Sequence, residues 1–376
     1  MNRLRANGLL SRSVLASIVL GALLLSGALP LAAKQESSVL SISNQAVTSE
    51  FPTGLRFILK AETEKEVSRA DLVFSAGANE TLYQTTVRIP DASQVGIEHS
   101  LELQNLGIPP GLVLAYHWKL HTTSGVVLET PEQQVEWFDD RFSWTLYESE
   151  DILLYAYSGD DEFNEGAVTI AQEAVDDSQD RFDAPERPEP LRIWLYESQS
   201  DMGGALSPNS REWIGGISYA NFSMMAAVVP AGDERAMLRV VPHEVVHQIF
   251  YDATRNPFNN PAAWLDEGLA SSIQVVGLEN FDEIVDEAYL DGTLPSLRSM
   301  ISEWGSDRRS VQVSYASSYS VVTFIQDTMG DEAIDGLLEA YRQGLSHEAA
   351  MIQALGMTTD ELDTMWRQYL DEAISS

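Results

Sequence analysis

The sequence predicts an α+β protein in which a β-sandwich of the immunoglobulin or fibronectin kind precedes a mixed domain with a helical C-terminal half. Two patterns support this fold class. Apolar and polar side chains alternate over residues 38–137, and apolar residues recur at helical spacing from about Trp144 onward. A chain of 376 residues is long enough for two such domains. We predict the sandwich at 34–140 and the second domain at 141–376.

Residues 1–33 have the pattern of an export signal. Arg3, Arg5 and Arg12 form a basic start, no residue between Arg12 and Lys34 is charged, and small residues follow the apolar run. The uncharged run is also long enough to span a bilayer, for which about 20 residues are needed. A cleaved signal and a retained membrane anchor would both place the rest of the chain outside the cytoplasm, because the arginine end stays inside.

The sandwich prediction depends on alternating runs that turn residues separate. One run places large apolar residues on a single face of a strand: Leu112, Leu114, Tyr116, Trp118 and Leu120. Similar runs begin at Leu55 and Tyr83, with turn clusters at 76–79, 109–111 and 123–125. Short strands at this spacing are typical of an antiparallel sandwich of about 100 residues.

In the second domain a few short strands come first and helices follow. Strands are predicted at 152–157, 191–196, 214–220 and 224–229. An amphipathic helix at 161–182 separates the first two. From Glu234 the chain should be mainly helical, with glycines as stops. The last helices are predicted at 310–329, 331–342, 346–354 and 359–373.

Composition excludes several classes of function. The chain has 57 Asp and Glu against 23 Lys and Arg, a net charge of −34, and the acids are spread along its length. Binding to nucleic acid or to anionic lipid needs a basic face, so neither is expected. The chain has no cysteine, which excludes disulfides, thiolate metal sites and a cysteine nucleophile. Any metal must therefore be held by the six histidines and the carboxylates.

The sharpest motif is His243-Glu244-Val245-Val246-His247. Residues four apart share a helix face, so both imidazoles can reach one cation. Glu244 lies one step round the helix and can address water at an open position of the metal. Chance is the alternative, since the pattern arises on the order of once in a hundred such chains. Pro242 requires the helix to begin near it or to bend upstream.

A hydrolytic zinc site needs a third protein ligand. The segment Trp264-Leu265-Asp266-Glu267-Gly268-Leu269-Ala270 follows a loop rich in proline and asparagine. Two helices joined by such a loop can bring Glu267 back over the histidine pair. Asp266 should point elsewhere, either as a surface acid or as a partner of a ligand. Imidazole and carboxylate ligands with an acid beside them favour Zn²⁺.

The two motifs together resemble those of the gluzincin metallopeptidases, in particular the bacterial peptidase MA-like proteins. The resemblance covers about residues 144–373. It implies a zinc peptidase domain that acts on peptides or proteins, in which His243, His247 and Glu267 bind the metal and Glu244 is the general base.

The resemblance also implies a tyrosine on a later helix that polarises the scissile carbonyl group. Residues 315–322 are similar to the tyrosine helix of that family, and Tyr315 fits the role better. Tyr319 lies one turn along the same face and is the fallback. For both residues the alternative is a core position with a hydroxyl group that finds a partner.

Gluzincins also have an edge strand, upstream of the zinc helix, that pairs with extended substrate. Residues 213–219 have the matching position, and we predict Gly215, Gly216 and Ile217 as substrate-binding residues. Glycine permits close approach of a peptide backbone. A β-bulge explains the two glycines equally well.

Two departures from the family pattern refine the prediction. The Gly-Ala-Met-Glu-Asn signature that captures a free α-amine in exopeptidases does not occur in the sequence, which favours an endopeptidase. Ser271 stands four residues after Glu267, where thermolysin-like enzymes place an aspartate that orients a histidine. The hydrogen-bond partners of the two histidines are therefore unassigned.

Three functions remain open from the sequence. The first is an exported zinc-dependent peptidase. The second is a binding or adhesion protein of the cell envelope whose peptidase-like domain is a scaffold, and the third is a zinc hydrolase that acts on a non-peptide bond. The complete ligand set with Glu244 favours an enzyme, because a pseudoenzyme usually lacks one of these residues.

Overall fold

The computed structural model describes residues 40–77, 79–206, 215–274, 276–302, 304 and 307–375. The predicted export segment at 1–33 lies outside the described residues, as do Trp213 and Ile214 of the predicted edge strand. The described residues lie in one compact unit.

A six-stranded antiparallel sheet comes first in the described chain. Its strands are β1 (Leu40–Glu50), β2 (Gly54–Ala76), β3 (Asn79–Leu101), β4 (Leu112–Thr122), β5 (Val127–Glu129) and β6 (Gln133–Trp137). One side of β2 pairs with β3, and the other pairs first with β1 and then with β4. The predicted immunoglobulin-like sandwich is not confirmed, because hydrogen bonds join all six of these strands in one sheet.

A register irregularity in β2 keeps its apolar side chains in one core. Leu55 and Phe57 are buried before the irregularity and Leu72 and Phe74 after it, so the buried positions change from odd to even numbers. The register shifts between Glu62 and Arg69, where the neighbour changes from β1 to β4. Because side chains alternate along a strand, an unbroken register would turn one of the two sets away from the core.

A second sheet of five strands follows. Its strands are β7 (Thr145–Glu148), β8 (Ile152–Ala156), β9 (Leu191–Tyr196), β10 (Gly216–Tyr219) and β11 (Met224–Val228), and their order is β10-β11-β9-β8-β7. The three central strands are parallel, while β7 and β10 are antiparallel to their neighbours. Helix α1 (Asp161–Phe182) connects β8 to β9, as the sequence predicts, and α2 (Gln199–Ala205) follows β9.

The rest of the described chain is helical. Its helices are α3 (Glu234–Thr254), α4 (Ala263–Ile273), α5 (Phe281–Leu290), α6 (Arg308–Met329), α7 (Asp331–Arg342), α8 (His347–Leu355) and α9 (Thr359–Ser375). The last four agree with the predicted helices to within a few residues. Within the described ranges, no helix has the length and apolar character needed to cross a membrane.

The second sheet is buried on both faces. Ile193 and Leu195 of β9 pack into a core with α1 and the helices from α3 onward. The alternate residues Trp194 and Tyr196 pack into the other core, which the first sheet supplies. The five-stranded sheet therefore lies between the N-terminal sheet and the helices. The predicted boundary at 140 and 141 falls between β6 and β7, and the division into two domains there stays a prediction.

Candidate metal centre

Helix α3 carries both motif histidines and contains Pro242 in its interior. It begins at Glu234, so of the two alternatives for Pro242, a helix that starts near the proline is wrong, and a bend upstream of the motif stays a prediction. Proline cannot donate a backbone hydrogen bond, which leaves the preceding turn of the helix without one of its bonds. Downstream of Pro242 the helical spacing holds, and the imidazole rings of His243 and His247 lie 4.9 Å apart between centroids.

Helix α4 brings Glu267 to the same point. Glu267 Oε2 lies 3.3 Å from His243 Nε2 and 3.5 Å from His247 Nε2. The loop between α3 and α4 is held by Asn256, whose Oδ1 accepts hydrogen bonds from the backbone N–H groups of Phe258 and Asn259. The Asn256 side chain also donates to the carbonyl oxygen of Tyr341 on α7, at 2.9 Å. The predicted return of Glu267 over the histidine pair is thus present in the structure.

The three side chains fit a tetrahedral metal ion. One potential ligand atom from each of His243, His247 and Glu267 lies within 4.8 Å of the others. Zinc–ligand bonds of about 2.0–2.1 Å in a tetrahedron place the ligand atoms about 3.3–3.4 Å apart, which matches the separations from Glu267. Glu267 Oε2 is buried and has no hydrogen-bond donor among the described residues. A buried carboxylate oxygen without a donor suits a cation.

His247 is oriented by Asp266. Its Nδ1 donates to Asp266 Oδ1 at 2.7 Å, while its Nε2 faces Glu267. Burial alone would lower the pKa of His247, but the carboxylates of Asp266 and Glu267 raise it well above its ordinary value. A carboxylate on the second ring nitrogen fixes the tautomer that leaves Nε2 free as a ligand. His243 Nδ1, in contrast, is buried without a partner in the described part of the chain.

Glu244 is buried against the first residue of β10. A Cβ atom added to Gly216 would lie 2.5 Å from Glu244 Cγ, so only glycine leaves room for this carboxylate. Burial raises the pKa of Glu244, although the neighbouring histidines oppose the shift. Gly216 is therefore required by Glu244, a reason that neither the predicted approach of substrate nor a bulge provides.

The other two predicted substrate-binding residues differ in position. Gly215 precedes β10 and lines the same cleft as Glu244. The side chain of Ile217 packs toward the core of the N-terminal sheet instead. β10 is the last strand of its sheet in the described chain, as an edge strand requires.

Of the two candidate tyrosines, Tyr315 lies at the histidine and glutamate cluster. Its hydroxyl group donates to Glu267 Oε1 at 3.3 Å, and its ring lies 6.0 Å from that of His243. Tyr319 packs edge-on against Phe281, with ring centroids 5.7 Å apart. The fallback residue is therefore placed away from the cluster.

The family model of the peptidase MA superfamily matches residues 171–372, a range that contains both motifs and α6. The chain belongs to the peptidase MA superfamily. No curated protein matches the chain. Membership in this superfamily indicates a metallopeptidase, and therefore a peptide or protein substrate.

In this member of the superfamily, a cleft of 390 Å³ opens beside His243 and Glu244. Residues from β10, α3, α4, α5 and α6 line it, together with the segment between α4 and α5. Tyr315 lies in its wall. The cleft is partly open to solvent, as a ligand-binding cleft requires.

Two residues that the sequence analysis missed hold this peptidase site together. Gln248 is fully buried next to the second histidine, and its Nε2 donates to Ser218 Oγ on β10 at 2.5 Å and to the Met224 carbonyl oxygen at 3.0 Å. A Cβ on Gly268 would lie 2.5 Å from the Ser318 carbonyl oxygen on α6. Gln248 thus ties α3 to the edge strand, and Gly268 allows α4 to touch the tyrosine helix.

Asp266→Ala tests the orientation of His247. The substitution removes the acceptor of the Nδ1 hydrogen bond, and we expect metal affinity to fall about 10–100-fold, the usual effect of losing such a partner. Asp266→Asn keeps an acceptor oxygen, so its metal affinity should fall less than that of Asp266→Ala. The measurement is zinc affinity by competition with a chelator of known affinity.

Asp327→Ala is the control for this prediction, because Asp327 is an exposed acid on α6. It should bind zinc as the wild type does. If Asp266→Ala binds zinc as tightly as Asp327→Ala does, Asp266 has no orienting role.

Proposed function

We propose that the protein is an exported zinc-dependent endopeptidase of the gluzincin type. His243, His247 and Glu267 would hold the Zn²⁺ ion. The observation that carries the proposal is the convergence of one potential ligand atom from each of these residues within 4.8 Å, beside the buried carboxylate of Glu244. Superfamily membership supports the peptidase activity.

When bound, zinc would lower the pKa of water and polarise a carbonyl group as a Lewis acid. Glu244 would accept a proton from the water molecule whose oxygen bonds to the peptide carbonyl carbon. It would then give this proton to the nitrogen atom of the leaving amine as the C–N bond breaks. Burial raises the pKa of Glu244, which brings it closer to the range where one group can both take and return a proton.

Tyr315 would donate a hydrogen bond to the carbonyl oxygen as negative charge develops there. Its contact with Glu267 Oε1 places the hydroxyl group beside the proposed ligands. The hydroxyl would turn from Glu267 to the substrate oxygen by rotation of the side chain. A donor that already lies at the site loses little freedom when it binds the oxyanion.

The edge strand supports cleavage within a chain. β10 pairs with β11 on one side, and no described strand pairs with its other side. An extended peptide can add to such an edge through backbone hydrogen bonds, which need no free terminus. The missing exopeptidase signature supports the same conclusion.

Glu244→Gln tests the general base. We expect the variant to keep zinc, because Glu244 is not a proposed ligand, and to lose at least ~100-fold in peptide hydrolysis. Metal content by mass spectrometry and cleavage of casein or a peptide library measure the two properties. His247→Ala is the control and should lose the metal as well. Substantial hydrolysis by Glu244→Gln would refute the mechanism.

Tyr315→Phe tests oxyanion stabilisation. We expect kcat to fall while KM is spared, at a cost of roughly 2.7–4 kcal/mol, since the hydroxyl acts on charge that develops only in the transition state. Tyr319→Phe is the matched control one turn away and should have a small effect. The measurement is steady-state kinetics of both variants on one peptide. A large fall in kcat for Tyr319→Phe alone would assign oxyanion stabilisation to Tyr319.

The export proposal rests on the basic, apolar start of the sequence. If the segment is a cleaved signal, sequencing of the mature protein should find an N-terminus near Leu29 or Lys34, after the small residues that favour cleavage. An intact start in the membrane fraction would indicate an anchor. Intact, soluble protein in the cytoplasm would contradict export.

A further inference from the structure

The cleft beside the histidine and glutamate cluster carries mainly positive side chains, whereas the chain as a whole is acidic. Acids outnumber bases by 57 to 23 in the sequence. In the cleft lining, however, Arg239 and Arg308 are the cations, and Glu244 is the acid that lies with them in the described chain. Such a local reversal in a chain of net charge −34 needs a physical reason.

The two arginines differ from their neighbours in their contacts with the described residues. Neither makes an ion pair or a side-chain hydrogen bond with another described residue. Their neighbours on the same helices do: Arg235 pairs with Glu279 at 2.7 Å, and Arg309 lies 3.8 Å from Glu287. Arg308 also opens α6, where the positive end of the helix dipole disfavours a cation.

Arg239 is placed toward the path of an extended peptide. Its side chain runs against Gly277, where an added Cβ would lie 2.8 Å from Arg239 Cδ. Its Nη2 reaches a point 3.9 Å from the position of a Cβ on Gly215, at the start of the edge strand. Arg239 is one turn before His243, so its guanidinium group lies on the same side of α3 as the cluster.

We propose that the cleft binds a substrate carboxylate between Arg239 and Arg308, so that the enzyme prefers acidic peptides. This inference rests on the proposed peptidase function. The planar guanidinium group forms paired hydrogen bonds with carboxylates, and two such groups in the lining of one cleft would favour a bound carboxylate. The carboxylate is either the side chain of Asp or Glu or the free C-terminus of a peptide.

The test uses the zinc-loaded mature protein and quenched fluorescent peptides with an amidated C-terminus. One position at a time carries Glu, Gln or Lys. At one position near the cleaved bond, we expect Glu to raise kcat/KM at least about tenfold over Gln, the scale of one charge-assisted hydrogen bond. A second arm compares free and amidated C-termini on neutral peptides, and a preference there alone assigns the carboxylate to the chain terminus.

Variants of the two arginines test whether these residues cause the preference for Glu peptides. In the double variant Arg239→Gln and Arg308→Gln, the ratio of kcat/KM for the Glu peptide to kcat/KM for the Gln peptide should fall close to one. The Arg308→Glu variant should have a higher kcat/KM for the peptide with Lys at that position than for the peptide with Glu. Arg235→Gln and Arg309→Gln remove equal charge on the same helices and should keep the preference for Glu. A preference that survives the double variant overturns the proposal, as does equal cleavage of all peptides by the wild type.

A binding measurement separates this proposal from the proposed function. Zinc-loaded Glu244→Gln protein is titrated with labelled Glu and Gln peptides, and fluorescence polarisation gives their affinities. If the enzyme cleaves neutral peptides and shows no preference for a carboxylate, the acidic specificity is refuted and the peptidase function is not. Failure to cleave any peptide refutes the peptidase, and equal binding of Glu and Gln peptides then refutes the carboxylate site as well.

Discussion

The site depends on one contact, the approach of the half-buried Glu267 carboxylate to the two imidazoles of α3. Its Oε2 lies 3.3 and 3.5 Å from the two Nε2 atoms, which requires α4 to cross α3 at a fixed place. Gly268 permits this crossing by letting α4 touch α6, and Asn256 closes the loop between the two helices. The position of Tyr315 follows from the same α4–α6 contact, because the tyrosine meets Glu267 across it.

This concentration of buried charge is costly unless each charge has a partner. An unpaired buried carboxylate pays a large desolvation penalty, whereas a cation beside it repays much of the cost. Burial would lower the pKa of His247, but Asp266 and Glu267 face this histidine and raise it. Burial would likewise raise the pKa of Glu267, but His247 and His243 lower it. The geometry thus suits a positive centre, and a metal ion bound there would satisfy all three ligand atoms at once.

Local periodicity was enough to predict the three residues at the core of the site. Contacts that depend on long-range packing could not be predicted from the sequence. Helical spacing alone brings His243 and His247 together, and the short loop brings back Glu267. The contact of Asp266 with His247 depends on the angle between two helices, which no spacing encodes. The same limit applies to the first sheet. Alternation located its strands, but it could not reveal that the register of β2 shifts between Glu62 and Arg69 or that hydrogen bonds join all six strands in one sheet.

The N-terminal sheet contributes to the site through the sheet that it covers. β9 and β11 point alternate residues into two cores, and Trp194 and Met224 are buried in the core that the first sheet shares with α2. β11 in turn is the neighbour that holds β10 in place by backbone hydrogen bonds. Gln248 fixes α3 to the same two strands through Ser218 and the Met224 carbonyl oxygen. Since Glu244 rests on Gly216 of β10, the first sheet helps set the distance between the proposed general base and the edge strand that would bind the substrate.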